Sequence, residues 1–202
     1  MLALLLLQVA APQTAIDAER AFNQAAQDKG QWTAFRQFAA EDGVMFVPEP
    51  AHARAWLKDR KDPPRPVQWA AAESYISCDG MLAVNTGGWK QPDGSVGYFT
   101  TVWHKQPSGE WKWQLDAGDT LDKPRAVPAE PRLVKASCAP INVPVARSAG
   151  AIGGKEGEGQ SADGTLLWHW QVSPEGARSF DASLWDGTTF VPVVSDRVAA
   201  PK

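Results

Sequence analysis

The chain has 202 residues, a formal net charge of −3 and 44% hydrophobic residues. That length exceeds one ordinary domain of roughly 100 to 150 residues, so the sequence reads as a domain with an appendage. The acidic balance and the lack of any Lys/Arg cluster argue against nucleic acid as a partner, because phosphate neutralisation needs a basic face.

In chain order, Leu2, Ala3 and the run Leu4 to Leu7 precede small residues at Val9, Ala10 and Ala11. An apolar core ahead of such residues is the pattern of an export signal. Residues 1–15 are therefore expected to be a signal peptide and the mature protein to be periplasmic or secreted. An extension of the first helix is the alternative. No other segment approaches the roughly 20 apolar residues of a membrane span.

Thr14 to Lys29 is predicted to be helical, with Thr14 and Asp17 as a capping box, Ile16, Phe22 and Ala26 on an apolar stripe, and Gly30 as the stop. Trp32, Phe35, Phe38 and Ala39 mark a second, shorter helix, and Gly43 precedes a strand from Val44 to Val47. His52 to Lys61 reads as a third helix.

From Val67 to Asp119 the pattern changes to β-branched and aromatic residues punctuated by Asp79-Gly80, Pro92-Asp93-Gly94 and Pro107-Ser108-Gly109. These turns predict four antiparallel strands. If the two Pro-containing turns are three-residue loops, Gln91 pairs with Ser95 and Gln106 with Glu110. Unbroken alternation then gathers Ala83, Asn85, Gly87, Trp89, Phe99, Thr101, Trp103, Trp111, Trp113 and Leu115 on one face. Tyr98, Thr100, Val102, His104, Lys112, Gln114 and Asp116 fall on the other. The face taken by Trp69, Glu73 and Tyr75 depends on the length of the Asp79-Gly80 turn and stays open.

Residues 122–163 are rich in Pro and then in Gly, which predicts a linker, and residues 164–195 alternate as a small β-meander. Some thirty residues cannot build an independent core, so the meander is expected to pack on the main domain. Cys78 and Cys138 either form one disulfide, as an oxidising compartment allows, or remain two buried thiols.

The order of helix, short helix, strand, helix and long meander resembles the nuclear transport factor 2-like superfamily. The wording of Gly97-Tyr98-Phe99, Val102-Trp103, Gly109-x-Trp111-Lys112 and Leu115-Asp116-x-Gly118 is similar to its SnoaL-like bacterial branch of unknown function. The resemblance covers about residues 16–121. It implies an α+β fold in which a cone-shaped curved antiparallel sheet wraps around the N-terminal helices. It also implies a cavity at the wide end, and often dimerisation through the outer sheet surface. Superfamily members use the cavity for isomerisation, dehydration, cyclisation or binding, and the fold alone does not choose among these.

Asp116, near the end of the last long strand, is the candidate acid or base, with ordering of the adjacent loop as the other reading. Trp69, Trp89, Phe99 and Trp103 are the candidate ligand-binding wall, or else core. His52, His104 and His169 stand apart from one another, so no metal site is expected, and no phosphate loop or nucleophile elbow calls for a cofactor. The functional expectation is a cavity for a small apolar or aromatic molecule, in a lyase- or isomerase-type enzyme or a binding protein. The alternative is a non-catalytic structural or interaction module forming a homodimer.

Overall fold

The computed structural model describes residues 12–143 and 154–201, so the expected signal segment lies mostly outside the described residues. Helix α1 (Ala15–Lys29) starts where the sequence predicts: the Thr14 hydroxyl accepts from the Asp17 N–H while the Asp17 carboxylate accepts from the Thr14 N–H. Gly30, with φ of 105°, ends α1 and opens α2 (Gln31–Phe38). The stripe Ala15, Ala18, Phe22, Ala26 is buried against the sheet. Among the described residues no helix is long and apolar enough to cross a membrane.

Strands β1 (Ala39–Phe46) and β2 (Pro50–His52) form a short antiparallel pair, followed by α3 (Ala53–Leu57). Then come β3 (Gln68–Ile76), β4 (Leu82–Lys90), β5 (Val96–Lys105) and β6 (Trp111–Leu121). The sheet is larger than the four-strand meander and is mixed, not purely antiparallel. Its order is β2-β1-β6-β5-β4-β3-β7, with β1 parallel to β6 and β7 (Arg132–Lys135) parallel to β3.

Both Pro-containing loops have the expected length, since Gln91 N–H bonds Ser95 O and Gln106 N–H bonds Glu110 O. The alternation nonetheless breaks twice. In β6, Trp103 opposes Trp113 but Val102 opposes Leu115, leaving Gln114 as an extra residue. In β3, Ala71 opposes Gly87 but Glu73 opposes Thr86, leaving Ala72 extra. One extra residue reverses every side chain beyond it. Leu115 and Asp116 therefore exchange the faces that unbroken alternation assigns them, and Trp69 faces inward while Glu73 and Tyr75 face outward.

The inner face packs on the helices through Phe22, Ala83, Trp103, Trp111, Trp113 and Leu57. Phe22 sits at the centre, 4.7 Å from Phe35, 4.8 Å from Trp69 and 5.9 Å from Trp103 between ring centroids. The outer face carries Tyr75, Val84, Val102 and Leu115 into a second core. There they meet Leu166, Trp170, Val172, Phe180, Ala182 and Leu184 of a second sheet. Each Leu, Val or Phe side chain among them, fully buried, contributes about 1.5–3 kcal/mol, which a strip of about thirty residues could not gather alone.

That second sheet comprises β8 (Lys155–Gln160), β9 (Leu166–Val172), β10 (Arg178–Trp185) and β11 (Phe190–Val198), ordered β11-β10-β9-β8. Residues 122–163, expected to be a linker, thus hold two strands, β7 and β8. Gly157 and Gly159 oppose Trp170 and Trp168, and a Cβ at either would strike the facing indole. The glycines there make room for two rings. Cys78 and Cys138 are joined in a disulfide with Cα atoms 5.2 Å apart, tying the β3–β4 turn to the segment that leads into the second sheet.

Candidate functional site

A cavity of about 380 Å³ opens at the wide end of the curved sheet. Aromatic rings dominate its wall: Trp32 and Phe35 from α2, Trp69 from β3, Trp89 from β4, and Phe99 from β5. Their placement follows from pairing. Trp69 opposes Trp89, and Trp89 opposes Gly97, where a Cβ would run into the Trp89 ring. Gly97 therefore lets that indole lie flat across β5. Of the four aromatic candidates, Trp69, Trp89 and Phe99 line the cavity. Trp103 is fully buried beneath it, 6.1 Å from Phe38 and 5.9 Å from Phe22 between centroids.

Asp116 lines the same cavity. The bulge at Gln114 turns it inward, opposite Thr101 on β5 and Met45 on β1. It is half-buried, and the surface it exposes opens on the cavity. Among the described residues its one hydrogen-bond partner is the Thr101 hydroxyl at 3.4 Å. Burial pushes its carboxyl up to about 8, the nearby charge of Glu19 pushes the same way, and the Thr101 hydroxyl pulls back.

Asp116 ends a polar row across an otherwise apolar wall: Ser74 opposes Asn85, Asn85 opposes Thr101, and Thr101 opposes Asp116. Glu19 of α1 reaches down onto that row. Glu19 is 2% exposed. Its carboxylate accepts from Trp103 Nε1 at 2.6 Å, Trp69 Nε1 at 2.8 Å and Asn85 Nδ2 at 3.1 Å. Burial raises its proton affinity, and those three N–H donors oppose the rise.

The sequence reading passed over Glu19, yet the signal was present. Ala15, Glu19, Phe22 and Ala26 recur at spacings of four, three and four, so a carboxyl stands in the apolar stripe of α1.

At the mouth, β1 stops pairing with β6 after Asp116, leaving Ala117 to Thr120 open on that side. Arg178 of β10 spans this gap, donating to Pro48 O at 2.8 Å and pairing with Asp119 at 3.4 Å. The second sheet thus supplies part of the rim. The remaining candidates lie elsewhere. Glu73 sits on the outer face, accepting from Tyr75 Oη at 2.8 Å and from Arg132 Nε at 3.1 Å. His104 meets Gln114 at 3.4 Å outside the cavity, and His169 lies 3.7 Å from Glu156 in the second sheet. No group of three or more His, Cys, Asp or Glu among the described residues could hold a metal ion.

No family model and no curated protein matches the chain. Solved structures do. The chain is similar to a candidate ketosteroid isomerase from Parabacteroides distasonis, at 13% identity and TM-score 0.45, over 57% of this chain and 94% of that one. It is similar to a candidate aromatic ring hydroxylase from Novosphingobium aromaticivorans, at 16% identity and TM-score 0.38, over 54% and 87% of the two chains. A Delta 5-3-ketosteroid isomerase from a Mycobacterium species matches at 12% identity and TM-score 0.37, over 55% and 93%. Likeness at this level carries no argument about chemistry, which must come from the cavity itself. The strands of residues 39–121, bent around three helices in the order β2-β1-β6-β5-β4-β3, form the curved-sheet cone expected from the resemblance to the nuclear transport factor 2-like superfamily, with a four-stranded sheet packed on its outer face.

Proposed function

We propose that the cone binds a small apolar or aromatic molecule and that Asp116 exchanges a proton with it in an isomerase- or lyase-type reaction. One observation carries this reading: a carboxyl turned into an aromatic cavity and poised near neutral pH. Flat rings of the wall offer dispersion contact and edge-to-face packing to a flat ligand. A carboxyl with a midpoint of about 8 is present in both forms near pH 7 to 8, so it can give a proton to a substrate oxygen or take one from a carbon acid without a large mismatch. Moving a proton between two positions of one molecule needs no oxidant and no second substrate.

Intrinsic tryptophan fluorescence tests binding, since Trp32, Trp69 and Trp89 line the cavity. A panel of steroid enones, naphthols and aromatic acids should include a quencher with a saturable titration. Turnover of that compound, followed by absorbance, should vanish in Asp116→Asn while quenching persists. A panel without any saturable response would sink the reading.

We infer further that the chain is exported. The Cys78–Cys138 disulfide supports this, because such bonds persist where the surroundings are oxidising.

A further inference from the structure

Glu19 is a carboxyl shut inside the cone beneath the cavity, and the proton exchange proposed for Asp116 leaves it without a task. Its surroundings say which of the two carboxyls is charged. Its three partners among the described residues are all N–H donors, two indoles and one amide, and an indole N–H cannot accept a proton. Asn85 cannot turn its oxygen toward Glu19 either, because the same Nδ2 also donates to Ala15 O at 3.0 Å, and a flipped amide would set two oxygens against each other. A protonated Glu19 would therefore aim its O–H at donors.

Asp116 is placed differently. Its single partner among the described residues is a hydroxyl, which donates or accepts with equal ease, so a proton on Asp116 meets no opposition there. Two negative charges in one apolar interior repel strongly, so the pair holds one charge, and the donors assign it to Glu19. The groups facing Asp116 from the packed elements are Glu19 on α1, Thr101 on β5 and Met45 on β1. The other ionisable lining groups are Asp119 and Arg178, which pair with each other at the mouth, and the Tyr98 phenol, which burial keeps neutral.

We propose that Glu19 is the positioning residue of this site: an ionised carboxylate, pinned by Trp103, Trp69 and Asn85, that keeps the proton on Asp116 and holds the Trp69 ring as cavity wall. This rests on the reading of Asp116 as the proton-exchanging group. Asp116 therefore meets a ligand as a neutral acid, and the favoured partner is an acceptor oxygen on an apolar or aromatic frame. The same buried charge disfavours an anion placed deep in the cone.

The test is a carboxyl-detected ¹³C NMR titration of the full chain without ligand, in wild type and in Glu19→Gln. In wild type Glu19 should ionise at lower pH than Asp116. In Glu19→Gln the Asp116 midpoint should fall by at least one pH unit, a tenfold loss of proton affinity, with Trp69 fluorescence shifted as its acceptor changes. If Glu19 is still protonated where Asp116 is ionised, or the variant leaves the Asp116 midpoint in place, the proposal is wrong. The order of titration in wild type decides the matter even if the variant does not fold. A silent ligand panel with this order intact would refute the proton-exchange reading alone. A reversed order in a protein that binds and turns over a ligand would refute the role of Glu19 alone.

Discussion

Replacing Asp116 with Asn should make the protein progressively more stable relative to wild type as pH rises above about 4. The carboxyl sits at about 8 when folded against an ordinary 3.8, so the folded chain keeps a proton that the unfolded chain releases. A raised acid of this kind contributes its full stability below about pH 4 and loses it as pH climbs through about 8, at roughly 1.4 kcal/mol per pH unit. Over the whole interval that is on the order of 6 kcal/mol, and between pH 5 and pH 7 roughly 3 kcal/mol. Glu19 and Asp196 are also raised, whereas Asp62 and Asp163 are lowered by hydrogen bonds from Thr33, Ser161 and Thr165, so the pH profile of wild type alone mixes several groups. The difference between wild type and Asp116→Asn isolates one. Urea unfolding followed by tryptophan fluorescence at pH 5, 7 and 9 should give curves that diverge in favour of the variant, with most of the change between pH 5 and 8 and a levelling above it. A difference that stays constant across that range would refute the inward placement of Asp116, because an exposed carboxyl has no such profile.

Two further outcomes follow from the fold. Substituting Cys78 and Cys138 together by Ser opens a cross-link spanning 60 positions of the chain, and the urea midpoint should fall by an amount equivalent to about 3 to 4 kcal/mol. Deleting Gln114 removes the extra residue of β6 while keeping Leu115 opposite Val102 and Asp116 opposite Thr101. The cost should stay within about 2 kcal/mol and the Asp116 midpoint should remain high by NMR, whereas a return to an ordinary carboxyl value would refute the reading of Gln114 as the one extra residue that sets the direction of Asp116.

The cone was legible in the sequence wherever a local rule sufficed. The Thr14–Asp17 box, the Gly30 stop and the two Pro-x-Gly loops each act within a few residues, so their positions and the pairing of Gln91 with Ser95 could be read directly. The inward set of Trp89, Phe99, Trp103, Trp111 and Trp113 follows from those loops by counting. Counting fails past Gln114 and past Ala72, because a bulge is settled by which face needs which side chain. Leu115 satisfies the outer core and Asp116 the inner row only if one residue is left over. Strand β8 was hidden for a related reason: Gly157 and Gly159 suggest a flexible linker until the indoles of Trp170 and Trp168, which require their small size, are set opposite. Strand β7 has four residues in a Pro-rich segment, and its pairing with β3 is a purely tertiary choice.

These features are connected through the demand that both faces of a curved sheet be covered. The inner face has α1, α2 and α3, and the outer face has the second sheet, so β6 must deliver apolar side chains in both directions. Strict alternation from Trp111 would point Leu115 into the cone and Asp116 into the inter-sheet core, where a carboxyl would meet Val102, Leu184 and Phe180 with no donor. The bulge exchanges them. Asp116 then enters a cone that already holds a carboxylate in Glu19, and the polar row of Asn85 and Thr101 is what makes that tolerable. The second sheet is therefore coupled to the cavity twice. Its core fixes the direction of Leu115, and hence of Asp116, and its Arg178 bridges the gap at the mouth. A substitution that loosens that core, such as Phe180→Ala, acts on the cavity from the far side of the sheet.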